Sequence, residues 1–143
     1  MNVAAILKEK GRGVFTAQPE APLQEIAREL TRNGVGCIVL VDDKGAICGI
    51  VSERDIVRAA AQGGSKVLES PVSKVMTKDV IICQEADTID QLMAEMTVRR
   101  VRHIPVVENG KLVGIVSIGD VVKHRIAEAE MEAAAMRAYI ATG

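Results

Sequence analysis

Two serine–aspartate pairs carry the clearest chemistry in this 143-residue sequence, Ser52 with Asp55 and Ser117 with Asp120. Each closes the same kind of run, Gly49-Ile50-Val51-Ser52-Glu53-Arg54-Asp55 and Gly114-Ile115-Val116-Ser117-Ile118-Gly119-Asp120, and the two runs start 65 residues apart. Two β-branched apolar residues, then a hydroxyl, then a carboxylate describe a strand running into a helix. The first N–H groups of a helix have no intrahelical acceptor, so such a junction suits a phosphate. A carboxylate has two oxygens and can accept from both hydroxyls of a ribose, each charged hydrogen bond being worth about 1.5–3 kcal/mol. Ile50 and Ile115, two residues before each serine, suit one face of a flat apolar ring such as adenine. The competing role for Asp55 and Asp120 is plain N-capping, which satisfies helix N–H groups and nothing else. Recurrence of the serine in both runs favours ligand contact over capping alone.

A second group is basic. Arg99, Arg100, Arg102 and His103 stand where the first copy has Asn33, Gly34, Gly36 and Cys37. A phosphate is expected on the basic side; cations at a helix C-terminus are the ordinary alternative, and they account for Arg99 and Arg100 better than for Arg102 and His103. The chain as a whole has no basic field, since 18 Lys+Arg against 19 Asp+Glu leave a formal net charge of −1. It has no Trp, one Tyr and one Phe. Both facts argue against nucleic acid as a partner. Cys37, Cys48 and Cys83 form no C-x-x-C, sit among apolar strand-like neighbours, and have only His103 and His124 as company, so no metal site is expected. No cysteine has a base, and no histidine a carboxylate, at a recognisable spacing, so no catalytic residue is expected. No run approaches the roughly 20 apolar residues of a membrane span and the N-terminus has no signal-like h-region, which predicts a cytoplasmic protein with no membrane partner.

The elements that must position these groups repeat as well. Val3, Ile6 and Leu7 predict a short opening helix. The first half then reads as a strand at Val14 to Thr16, a helix facing inward through Leu23, Ile26 and Leu30, strands at Cys37 to Val41 and Ile47 to Ser52, and a helix facing inward through Ile56, Val57 and Ala60. The second half restarts with a strand at Val80 to Cys83, a helix through Ile89, Leu92, Met93 and Met96, strands at His103 to Val107 and Leu112 to Ser117 joined at Asn109-Gly110, and a long helix opening at Asp120. Both halves are β-α-β-β-α. The predicted divisions are residues 1–10 an N-terminal helix, 11–62 the first repeat, 63–70 a polar linker, 71–127 the second repeat and 128–143 a C-terminal helical extension. Each repeat would be marginal alone, so one shared aliphatic core between two packed sheets is expected.

This combination resembles a tandem pair of cystathionine-β-synthase (CBS) domains, a Bateman module, in the form of a stand-alone CBS-domain protein. The marks are the duplication itself, Val75-Met76-Thr77, Arg102-His103-Ile104-Pro105-Val106-Val107 and the two Gly-Ile-Val-Ser-x-x-Asp endings. The resemblance implies an α/β (α+β) fold of two repeats packed sheet to sheet about a pseudo-two-fold axis, with helices at both ends. It implies a regulatory sensor without catalysis, binding AMP or another adenine nucleotide (ADP, ATP or NAD), and in some members S-adenosylmethionine, in a cleft between the repeats, and signalling by rearranging domains or subunits. By the same resemblance the stronger cleft comprises Asp120, Ser117, Gly119 and Ile115, with Arg102 and His103 at the phosphate and Gly36, Cys37 and Thr16 on the far wall. The second cleft comprises Asp55, Ser52, Arg54 and Ile50 with Val80 and Ile81, and is expected to be weaker, empty or differently occupied. A flat homodimer and a downstream protein partner are implied too. The alternative function is a nucleic-acid-binding or purely structural dimer module.

The last helix carries Val122, Ile126, Ala129, Ala133, Met136 and Ile140 in a heptad-like seam, with His124, Arg125 and Glu128 on the face expected to be solvated. The seam must cover something, either its own module or a second chain.

Overall fold

The computed structural model describes residues 1–142; Gly143, the end of the expected C-terminal extension, lies outside them. In chain order the elements are α1 (Val3–Lys10), β1 (Thr16–Ala17), α2 (Leu23–Asn33), β2 (Cys37–Val41), β3 (Ile47–Ser52), α3 (Glu53–Gly63), two 3₁₀ turns (Gly64–Glu69 and Val72–Lys74), α4 (Ile89–Arg99), β4 (His103–Glu108), β5 (Lys111–Ser117) and α5 (Ile118–Thr142). β1 runs parallel to β2, and β2 antiparallel to β3; β4 and β5 form a separate antiparallel pair. The hairpins share a register, Cys37 opposite Ser52 in one and His103 opposite Ser117 in the other. The α/β (α+β) duplication is thus present.

One predicted strand is missing, and a single residue explains it. In the first repeat the Val39 N–H donates to the Phe15 carbonyl at 3.2 Å, fastening the chain beside β2. Pro105 takes the place of Val39, since Val39 lies opposite Ile50 and Pro105 opposite Ile115. Proline has no N–H to give. Residues 80–82 therefore run free of the sheet. Pairing begins only at Cys83, whose N–H reaches the Pro105 carbonyl at 3.0 Å and whose carbonyl accepts from Val107 at 2.9 Å. The first strand of the first repeat is also shorter and later than predicted, at Thr16–Ala17.

The core is divided where a single shared one was expected. Leu23, Ile26, Leu30, Ile38, Leu40 and Val51 form one cluster; Ile89, Leu92, Met96, Ile104, Val106 and Val116 form the other. Each is closed by the segment that precedes the other repeat. Val3, Ile6 and Leu7 of α1 complete the second cluster, and Val72, Val75 and Met76 complete the first. These closing segments are themselves equivalent at a spacing of 69 residues. Asn2 bridges to Thr88 at the head of α4 as Pro71 bridges to Pro22 at the head of α2. Leu7 packs on Gly114 as Met76 packs on Gly49, so closely that a Cβ on either glycine would collide with the partner side chain. Burying side chains of this size contributes about 1.5–3 kcal/mol each, which explains why the expected linker is no free linker: Val67 and Leu68 also pack on the first cluster.

Two helix faces differ from the predicted ones. In α3, Ile56 and Ala59 face the core, whereas Val57 is 69% exposed. In α5, Val121 and His124 are buried, while Val122, Ile126, Met136 and Ile140 of the predicted seam face solvent. The face buried on the module runs through Val121 and His124, so the seam does not pack on its own module. His124, expected on a solvated face, is held between Met1 Sδ at 3.2 Å and Glu9 Oε2 at 3.2 Å.

Candidate functional site

β3 and β5 each deliver a serine to the head of a helix, and both serine–aspartate pairs do cap those helices. Ser52 N–H donates to Asp55 Oδ2 at 2.9 Å while Asp55 N–H donates to Ser52 Oγ at 3.4 Å. Ser117 and Asp120 repeat this at 2.9 and 3.2 Å. The next N–H in each case is also taken, Glu53 donating to the Gly36 carbonyl at 3.1 Å and Ile118 to the Arg102 carbonyl at 2.8 Å. Fewer N–H groups remain for a phosphate than the sequence suggested. Capping engages Oδ2 of Asp55; its Oδ1 is 3.6 Å from the Arg58 guanidinium.

Asp55 lies in a cleft of about 330 Å³ built by both repeats. Thr77 pairs with Ile50 of β3 in both directions, N–H to carbonyl at 2.8 and 3.0 Å. That crossing carries Asp79, Val80 and Ile81 along one wall, where Pro105 has kept them out of the sheet. The α4–β4 connection supplies the other wall with Arg99, Arg100, Val101, Arg102 and His103, and Gly36 closes the end. All six residues predicted for the second cleft, Asp55, Ser52, Arg54, Ile50, Val80 and Ile81, are brought together. Arg102, His103 and Gly36, expected with Asp120, line the Asp55 cleft as well. The reason is that the main chain at Arg102 is tied to α5 through Ile118, while the connection it belongs to crosses toward the first repeat.

Two features of the basic wall are local and specific. Arg100 is the C-cap of α4 in the left-handed conformation, φ 56°, at the position where Gly34 caps α2 with φ 62°. A left-handed residue other than glycine costs about 1–2 kcal/mol. Among the described residues no carboxylate lies within ion-pair distance of Arg54, Arg100 or Arg102, whereas Arg58 faces Asp55 and Arg99 faces Glu95. His103 is different. Burial, followed by the nearby Lys10 ammonium, holds its pKa below the ordinary value against the opposing pull of Glu53 and Asp120. It is therefore neutral at pH 7 and adds hydrogen-bonding capacity to the cleft in place of charge. Gly36 lies against this ring; a Cβ there would come within 3.2 Å of its Cε1 and Nε2.

The Asp120 side is occupied by the protein itself. Lys10 Nζ donates to Asp120 Oδ2 at 2.6 Å and to the Ile115 carbonyl at 2.9 Å. Burial opposes ionisation of Asp120, but the Lys10 ammonium and the Ser117 N–H outweigh it and hold the carboxyl below its usual range. Gly119 sits beside Ser117. Cys37 is buried on this side, where desolvation pushes its thiol up to about 12 despite the Lys10 charge. Thr16 lies elsewhere, in a groove with Phe15, Ala21 and Ile38. Lys10, Arg58 and Asp79 were not singled out from the sequence, and Thr77 was a mark of the resemblance without a place in either cleft. The available signal was the match of Val3-x-x-Ile6-Leu7 to Val72-x-x-Val75-Met76, which aligns the segments holding Lys10 and Thr77. Among the described residues no group of His, Cys, Asp and Glu could hold a metal ion, and no helix is long and apolar enough to cross a membrane.

The family model for the CBS domain matches residues 8–62 and again residues 72–127. The crystal structure of the CBS-domain containing protein ATU1752 from Agrobacterium tumefaciens is 47% identical, with a TM-score of 0.86 over 87% of this chain and 99% of that one. The CBS domain protein PAE2072 from Pyrobaculum aerophilum, complexed with AMP, is 32% identical with a TM-score of 0.75, covering 84% of this chain and 89% of that one. The CBS domain pair of protein MJ0100, in complex with 5′-methylthioadenosine and S-adenosyl-L-methionine, is 26% identical with a TM-score of 0.80, covering 90% and 98%. The first two curated relatives are longer proteins, of which the chain spans 66% and 58%.

Proposed function

The chain belongs to the CBS domain family, with two such domains in tandem, and on that basis we propose that it is a regulatory module binding an adenine nucleotide in the Asp55 cleft. The observation that carries this reading is the convergence of Asp55, the Ile50 side of β3, the unpaired segment 79–81 and the basic 99–103 connection on one cavity. Asp55 Oδ1 accepts from the ribose hydroxyls, Ile50 and Val80 cover the adenine, and Arg54, Arg100 and Arg102 meet the phosphate. Guanidinium groups suit phosphate through paired N–H donors. The AMP complex of one relative and the S-adenosylmethionine complex of another support an adenosine-bearing ligand. The arginine-rich wall favours the phosphorylated member of that pair, AMP, ADP, ATP or NAD, over a sulfonium cation.

Occupancy draws the two repeats together across the cleft, and a partner that distinguishes filled from empty modules reads the change. The exposed seam of α5, with Ile126 54% and Ile140 70% exposed, is the surface offered to a second copy in a homodimer. The test is a thermal-shift panel of AMP, ATP, NAD and S-adenosylmethionine. A ligand that binds only the folded state stabilises it by about 2.7 kcal/mol at a hundredfold excess over Kd. The phosphorylated ligands are expected to raise Tm. No shift with any of the four at millimolar concentration rules the reading out.

A further inference from the structure

We propose that Lys10 is an in-chain occupant of the Asp120 cleft and the residue that decides which of the two pseudo-equivalent clefts takes a nucleotide; this rests on the reading of the Asp55 cleft as a nucleotide site. The two closing segments match at a spacing of 69 residues, Leu7 on Gly114 and Met76 on Gly49. The strands that follow match at 66, as the pairing of Cys83 with Val106 and of Ala17 with Leu40 shows. The first repeat therefore has three more residues between the closing segment that precedes it and its first strand. Three residues are close to one turn of helix. That turn is Lys8, Glu9 and Lys10, the end of α1, whereas after Met76 the chain leaves the helical path and Thr77 is already extended on Ile50.

The consequence is a different occupant at each strand edge. In the Asp55 cleft the Ile50 carbonyl accepts the Thr77 main-chain N–H at 2.8 Å, and the cavity beyond it stays open. In the Asp120 cleft the equivalent Ile115 carbonyl accepts from Lys10 Nζ, and the same ammonium sits on Asp120. Lys10 thus places its side chain over the carboxylate and strand edge, where the Asp55 cleft has an open cavity. The lysine is braced, because the adjacent Glu9 bonds Lys123 at 3.0 Å and His124 Nε2 at 3.2 Å, both on α5. An ammonium paired with two oxygens at once gives them up only to a ligand that replaces both contacts.

Isothermal titration with AMP, and with ATP in parallel, tests this on the full chain. The wild type is expected to bind one nucleotide per chain, Lys10→Met two, and Lys10→Arg, which keeps a cation on the carboxylate, one. Placing Asp55→Asn beside Lys10→Met isolates the opened cleft and is expected to leave one site, where Asp55→Asn alone leaves none. Two sites in the wild type, or one in Lys10→Met, overturn the proposal while leaving the Asp55 reading intact. Absence of binding in both the wild type and Lys10→Met overturns the nucleotide reading and this inference with it.

Discussion

Pro105 occupies in β4 the place that Val39 occupies in β2, and the hydrogen bond Val39 makes to Phe15 has no counterpart in the second repeat. The released stretch, Val80 and Ile81, is a wall of the cleft. One missing N–H thus leaves a would-be strand as a wall of the cleft. Replacing Pro105 by Val restores the donor opposite the Ile81 carbonyl. Hydrogen exchange is expected to show residue 105 as a newly protected amide, with a net hydrogen-bond contribution of about 0.5–1.5 kcal/mol. Nucleotide affinity should fall as the wall is drawn onto the sheet; an unprotected amide at 105 would contradict the account.

Arg100 is held at φ 56° where the other repeat uses Gly34. Arg100→Gly relieves that conformation, so Tm should rise, by the equivalent of about 1 kcal/mol. The same change removes a guanidinium with no carboxylate partner from the basic wall, so AMP affinity should drop by about tenfold, equal to 1.4 kcal/mol. Stability and binding measured on one variant should move in opposite directions. If both fall, Arg100 is structural.

Asp55 has two functions in this account, capping α3 and accepting the ribose. Asp55 is the third helical residue of the capping box closed by Ser52, where an amide oxygen can accept the Ser52 N–H as a carboxylate does, so Asp55→Asn should unfold within about 0.5 kcal/mol of the wild type. Its side-chain amide offers one acceptor oxygen where the carboxylate offers two, and it has no charge, so nucleotide binding should be lost. Calorimetry and denaturant unfolding on the same sample separate the two roles. Retained AMP binding would reduce Asp55 to its cap.

Asp120 provides a pH dependence with a definite sign. Its carboxyl is held below the usual range, burial opposing and Lys10 with Ser117 prevailing. As pH falls from neutrality the unfolded chain takes up this proton first, near the ordinary value of about 4. Between that value and the lower folded one the unfolded state binds more protons, so stability falls with pH. The contribution is therefore present above about pH 4 and lost as pH drops through the folded pKa. Tm against pH for the wild type and Asp120→Asn should diverge above that window and converge below it. Lys10→Met should move the Asp120 titration, followed by carboxyl NMR, back toward the ordinary value.

The sequence by itself determined the duplication, the two strand-to-helix junctions and the hairpins, because these depend on local periodicity and on turn and cap chemistry within a few residues. Ile26 and Leu30, or Leu92 and Met96, declare a helix face without knowledge of what they face. The membership of the Asp55 cleft was half legible for the same reason: Ser52, Asp55, Ile50, Val80 and Ile81 stand in or beside recognisable elements. Tertiary structure alone decided which basic residues join which carboxylate. Arg102 and His103 lie a few residues before Ser117 and Asp120 in sequence but face Asp55, because the α4–β4 connection crosses between repeats. It also decided the contrast between the two clefts, an open cavity beside Asp55 and the Lys10 ammonium on Asp120. Lys10 lies over a hundred residues from Asp120 along the chain, and only the packing of α1 on the second core brings its ammonium to 2.6 Å. A contact of that kind follows from which hydrophobic cluster a helix closes, and that is settled by the folded core and not by the residues around the lysine.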